Sequence, residues 1–173
     1  LHQLNPDVNI IKYHTNFNAE NAFEIMNSYD VMIDGVDNFP TRYLLPDACF
    51  LMKKPMIEAG VLRFDGMGMT LVPDKGMCYR CLFPTIPGPG SVPSCSETGI
   101  LGPVPGVMGF IEACEAAKLL TGKGTILKDS LLAFDALDLT FEILQAGKND
   151  TCPLCGTNPS IKELQGYNFV CES

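Results

Sequence analysis

Nowhere in these 173 residues is there an apolar run of the roughly 18 residues that a membrane-spanning helix requires. The opening LHQLNPDVN also lacks the basic segment and following apolar stretch of a secretory leader. Export and membrane insertion are therefore not expected. Positive charge is scarce too. Twelve Lys and Arg face 20 Asp and Glu, a net charge of -8, so the chain repels phosphate backbones and anionic lipid. A nucleic-acid partner is not expected.

What is present is a 46% hydrophobic composition, enough for a real core in a single domain of this length, together with eight cysteines. Disulfide frameworks belong mainly to small secreted domains without a sufficient core. The expectation is thus reduced thiols in a cytoplasmic protein.

The pattern along the chain is α/β. The start reads as a frayed helix end and a short strand, Asn9 to Tyr13, followed by a helix from about Asn18 to Met26. Asp30-Val-Met-Ile-Asp34 reads as a buried parallel strand. A helix from Pro40 to Met52 follows, with Asn38 as its N-cap and a kink or late start at Pro46. Met56 to Val61 reads as a buried strand and Met67 to Val72 as a half-exposed one. Proline, glycine and serine from Pro84 to Pro105 predict a long irregular loop. Val107 to Leu120 is so uniformly apolar that a largely buried helix is expected. Leu131 to Phe134 and Thr140 to Leu144 are read as an antiparallel pair turning around Asp135 to Asp138.

Two Cys-x-x-Cys knuckles, Cys78/Cys81 and Cys152/Cys155, suit a tetrahedral ion, because each knuckle presents two thiolates from a tight turn. Four thiolates leave no open position for water, so the expected site is a structural zinc. A redox dithiol or two unrelated pairs would use the same residues. Asp37 and Asn38 follow the carboxyl end of the first parallel strand, where open α/β sheets bind ligands. Asp37 is suited to magnesium beside a nucleotide, and the pair is equally suited to capping the next helix. Cys95 lies in the loop as either a nucleophile or an ordinary thiol, with no clear cationic neighbour to activate it. Cys49 and Cys114 fall on helical faces and are expected in the core.

Six segments, DGVDNFPTRYLLPDAC, KPMIEAGVLRFDG, CYRCLFP, SCSETGILGPVPGVMG, LLAFDAL and CPLCGTNP, taken in order, resemble the MoeB/ThiF/HesA family of bacterial relatives of ubiquitin-activating enzymes. The resemblance runs from about Asn5 to at least Pro159. It implies the C-terminal part of a Rossmann-like fold with a mixed sheet, residues 1–159 forming the activating domain and 160–173 a polar tail. It also implies an enzyme that uses ATP to adenylate the C-terminal glycine of a ubiquitin-like sulfur-carrier protein ending in Gly-Gly, for molybdopterin or thiamin synthesis. By position, Asp37 and Asn38 match the pair contacting ATP and magnesium, the four knuckle cysteines match zinc ligands, and Cys95 matches a loop cysteine that links covalently to the carrier in some relatives. A homodimer is implied as well.

The family's Gly-rich phosphate loop is absent. Gly88-Pro-Gly90-Ser-Val-Pro93 ends in proline, follows no clear strand, and is read as a decoy. The chain is therefore expected to be the C-terminal portion of such an enzyme, inactive alone. The alternative from another class is a non-catalytic, zinc-stabilised module that binds proteins. An oxidoreductase using one knuckle finds no nicotinamide fingerprint in its support.

Overall fold

The computed structural model describes residues 1–88, 91 and 98–167. The elements run α1 (Ala22–Met26), β1 (Met32–Ile33), α2 (Phe39–Leu51), β2 (Met56–Leu62), β3 (Asp65–Leu71), α3 (Tyr79–Leu82), α4 (Pro103–Thr121), β4 (Ser130–Asp135) and β5 (Thr140–Gln145). One five-stranded sheet has the order β1-β2-β3-β4-β5. Only β1 and β2 are parallel, with Met32 opposite Met56; the other pairings are antiparallel, so the sheet is mixed.

Both faces of the middle strands are covered. On one side, α2 and the two cysteine knuckles pack over Met32, Met56, Met69 and Leu71. On the other, α4 places Val104 and Met108 against Leu132 and Phe134. Burial of the adjacent residues Met56 and Ile57 follows from this sandwiching.

Several sequence expectations need correction. Asn9 to Tyr13 is exposed and forms no strand, because no described strand lies beside it to accept its backbone bonds. The first helix starts at Ala22, not Asn18: the Asn18 side chain accepts the backbone N–H groups of Glu20 and Asn21, and this local turn competes with the helix. Helix α2 begins at Phe39 and runs through Pro46, so the late start is not found. An interior proline costs about 3 kcal/mol, but α2 buries Tyr43, Leu44, Leu45, Ala48 and Cys49. Each large apolar side chain among them contributes roughly 1.5–3 kcal/mol, and burial wins.

Strand β3 is buried over most of its length, not half-exposed, because Met108 of α4 lies directly over Gly66 and Gly68. The irregular segment ends earlier than Pro105. Pro103 and Pro105 lie in the first turn of α4, where the N–H groups they lack would have no helical partner.

Helix α4 also corrects its own expectation. It buries one stripe, Val104, Met108, Glu112, Glu115 and Ala116, while Phe110 is 78% exposed and Cys114 is exposed, contrary to the core position expected for it. Cys49 is buried as expected. The glutamates on the inner face have defined surroundings: Glu115 accepts from the Thr70 hydroxyl (2.6 Å) and the Leu127 N–H (2.7 Å) and pairs with Lys118, latching α4 to β3. Among the described residues, no helix is long and apolar enough to cross a membrane.

Candidate active site and metal centre

The metal centre is assembled from chain segments that flank the sheet. Cys78 stands at the N-cap of α3, whose single turn brings Cys81 back beneath it through a Cys81 N–H to Cys78 carbonyl bond of 3.0 Å. The second knuckle turns where the Asn149 side chain accepts from Thr151 and the Gly156 N–H donates to the Cys152 carbonyl. A side chain at Gly156 would lie 2.5 Å from that carbonyl, so this close turn requires glycine.

All four Sγ atoms lie within 4.8 Å of one another and all four residues are buried. The separations from Cys78 are 3.8 Å to Cys81, 3.4 Å to Cys152 and 3.3 Å to Cys155, and Cys81 lies 3.3 Å from Cys155. Zinc–sulfur bonds of about 2.3 Å place tetrahedral sulfurs about 3.8 Å apart, so the cage has the size the ion needs with slight contraction. Backbone N–H groups point at the sulfurs as well: Leu154 and Cys155 donate to Cys152 Sγ, and Asn149 donates to Cys81 Sγ. Donors of this kind stabilise thiolates and orient them toward a cation.

Burial pushes the Cys78 thiol up, and the crowding of the other sulfurs adds to it; burial likewise pushes Cys155 up to about 12. Burial also opposes ionisation of Cys152, but the Cys155 and Leu154 N–H bonds outweigh it and lower its pKa. A divalent cation in the cage would supply the positive charge that four buried thiolates lack.

The ends of this centre are tied to α2. Arg80 makes a two-pronged bond to Asp47 (Nε 3.0 Å, Nη2 2.7 Å), donates to the Pro84 carbonyl and stacks on the rings of Tyr43 and Tyr167. The Tyr167 hydroxyl donates to the same Asp47 carboxylate, and Ile161, Leu164 and Tyr167 pack on the core.

Asp37 and Asn38 form the loop between β1 and α2, at the carboxyl end of the parallel strand, and both are exposed. Asn38 caps α2 by accepting the Thr41 N–H at 3.0 Å, while its amide donates to Asp37 at 3.3 Å. The capping role expected for Asn38 is therefore real, and Asp37 is exposed beside it. Cys95 and most of the Gly88 to Pro93 segment lie outside the described residues.

Beneath this loop lies a group of charges that sequence reasoning passed over. The Arg42 guanidinium pairs with Glu58 and with Asp34 (3.9 Å), and donates to the carbonyls of Val36 (3.3 Å) and Ala59 (3.1 Å). Asp34 turns back to accept the Val36 N–H at 2.8 Å. Burial pushes the carboxyls of Asp34, Glu58 and Glu112 up, to about 8 for Glu58 and about 7 for Glu112, with Arg42 opposing each shift. One oxygen of each carboxylate is buried without a hydrogen-bond partner among the described residues. The available signal was helical spacing, since Arg42 lies one turn beyond the Asn38 cap on the same face of α2.

A five-stranded mixed sheet, an acidic loop after its parallel strand and four clustered, buried cysteines that could hold a metal ion together describe a mixed α/β domain. The ThiF family model matches residues 1–154, and the chain belongs to that family. It is 44% identical to the sulfur carrier protein adenylyltransferase of Thermus thermophilus, over 99% of this chain and 65% of that protein. It is 47% identical to the SAMP-activating enzyme E1 of Haloferax volcanii, over 96% of this chain and 61% of that protein. The adenylyltransferase and sulfurtransferase MOCS3 of Aedes aegypti is 38% identical over 99% of this chain and 39% of its own length. The chain thus spans less than two thirds of the curated relatives it matches. In fold it is similar to E. coli MccB in complex with MccA-N7isoASN, with a TM-score of 0.74 at 17% identity, covering 90% of this chain and 49% of that one.

Proposed function

We propose that this chain is part of an ATP-dependent adenylyltransferase that activates the C-terminal glycine of a ubiquitin-like sulfur-carrier protein ending in Gly-Gly, in the cytoplasm. The carrier carboxylate attacks the α-phosphorus of ATP, the bond to pyrophosphate breaks, and an acyl-adenylate and pyrophosphate form. No covalent enzyme group is needed, and catalysis rests on positioning and charge stabilisation. The observation that carries this reading is Asp37, exposed at the carboxyl end of β1 on a loop braced from below. Its carboxylate is suited to a magnesium ion, which would neutralise triphosphate charge, and Asn38 would orient it. The names of the Thermus and Haloferax relatives support the same activity.

Zinc in the Cys78, Cys81, Cys152 and Cys155 cage has a structural role in this reading, holding the two knuckles together. Cys95, between the first knuckle and α4 in sequence, is the proposed acceptor of a covalent link to the carrier. Residues 1–159 form the activating domain and residues 160–173 its tail. A homodimer is supported by the apolar surface of α4 and β5, where Phe110, Phe141 and Ile143 are all more than half exposed.

The same surface favours a second reading, a zinc-stabilised module that binds proteins without catalysis. Pyrophosphate exchange by the intact protein with a Gly-Gly carrier separates the two. Asp37→Ala is expected to lower exchange by roughly 100-fold or more, an effect of the size produced by removing one positioned charge-stabilising group, with zinc content unchanged. Carrier binding with no exchange in the unsubstituted protein supports the second reading instead.

A further inference from the structure

We infer that Arg42 is a positioning residue for the nucleotide loop, setting the place of Asp37 through the backbone of Val36; this rests on the reading of Asp37 just given. The guanidinium enters from the first turn of α2 and gathers acceptors from two separate segments. It pairs with Asp34 and donates to the Val36 carbonyl on the loop itself, and on β2 it pairs with Glu58 and donates to the Ala59 carbonyl. Val36 immediately precedes Asp37. The loop is thereby fastened to a central strand, whereas among the described residues the Asp37 side chain is hydrogen-bonded to its neighbour Asn38 alone.

A second observation comes from β2. An added Cβ at Gly60 would lie 2.7 Å from Arg42 Nη1, so the strand is shaped to admit this guanidinium. The phenol of Tyr79, next to the zinc-knuckle residue Cys78, also interacts with Arg42, so the clamp reaches toward the metal centre. A planar fork with five donors can serve these acceptors together; an ammonium cannot. Asp34, which the guanidinium also pairs with, holds the Val36 N–H in turn, so both ends of this fastening depend on Arg42, and a displacement of about 1 Å in a positioning group can cost about 100-fold in rate.

The test uses the intact protein and measures pyrophosphate exchange against magnesium concentration and against carrier concentration. Arg42→Lys retains the charge and loses the fork. Gly60→Ala displaces the guanidinium from another element and keeps every charged group. Both variants are expected to raise the half-saturating magnesium concentration by about tenfold or more while the carrier KM stays within about twofold, an effect of loop geometry. A merely structural role lowers the active fraction and leaves the magnesium dependence where it was. If Asp37→Asn alters the magnesium dependence and both other variants leave it unchanged, the inference is overturned and the reading of Asp37 stands. If Asp37→Asn is itself silent, both fall. Should Arg42→Lys fail to fold, as judged by zinc content and thermal melting, Gly60→Ala alone decides the outcome.

Discussion

Glu112 lies on the buried face of α4, where the charges of Asp34 and Arg42 act on it, and one of its oxygens has no hydrogen-bond partner among the described residues. Burial, with Asp34 adding to it, raises its pKa from 4.5 to about 7. The folded chain therefore holds a proton at Glu112 that the unfolded chain releases near its ordinary value. Stability from this group is fully present below about pH 4.5 and is lost as pH rises through about 7. In chemical denaturation between those limits, Glu112→Gln is expected to flatten the pH dependence, whose slope from one group is at most about 1.4 kcal/mol per pH unit. An unchanged slope would show that Glu112 is ionised in the folded chain. Three residues along, the Glu115 carboxylate is placed differently, accepting hydrogen bonds from the Thr70 hydroxyl and the Leu127 N–H.

Among the elements, α4 and β3 interlock closely. Met108 crosses Gly66 so tightly that an added Cβ would meet its Sδ at 2.6 Å and its Cγ at 2.8 Å. Gly66→Ala is expected to destabilise the chain by about 1–3 kcal/mol through overpacking. Met108→Ala in the same chain should recover part of that loss, giving a non-additive double-mutant cycle in urea melts. Additivity would mean that α4 can slide away from the sheet at no cost. The outer face of α4 is constrained by nothing comparable, and Phe110 and Cys114 on it are exposed. Strand β5 is similar: every residue from Thr140 to Gln145 is exposed, although its pairing with β4 is complete from Ser130 to Asp135.

At the scale of the whole molecule, the four-cysteine centre joins residues far apart in sequence, with Cys78 3.3 Å from Cys155. Residues that follow the second knuckle return to α2 through Tyr167 and Asp47. A zinc ion bound there would link the sheet, α3 and the chain beyond β5. Purified protein is expected to contain one zinc per chain. Cys152→Ala is expected to lose it and melt at least about 6–12 °C lower, corresponding to roughly 3 kcal/mol in a domain of this size. Full thermal stability after exhaustive chelation would remove the metal from the account.

The sequence alone was sufficient for the knuckles, for the order of most elements, and for the Asn38 cap with its neighbour Asp37. These depend on local chemistry: Cys-x-x-Cys spacing defines a turn, and an asparagine caps the helix it precedes. The β4–β5 hairpin was legible for the same reason, since Asp135 accepts the N–H groups of Leu137 and Asp138 within one turn. Tertiary structure alone decided which face of α4 is buried, because an almost uniformly apolar helix carries no periodic signal and the position of Met108 over two glycines selects its stripe. It also decided that Arg42, Asp34, Glu58 and Glu112 meet. Those charges come from four separate segments, and what brings them together is the packing of α2 and α4 on opposite sides of β2, which no local pattern encodes.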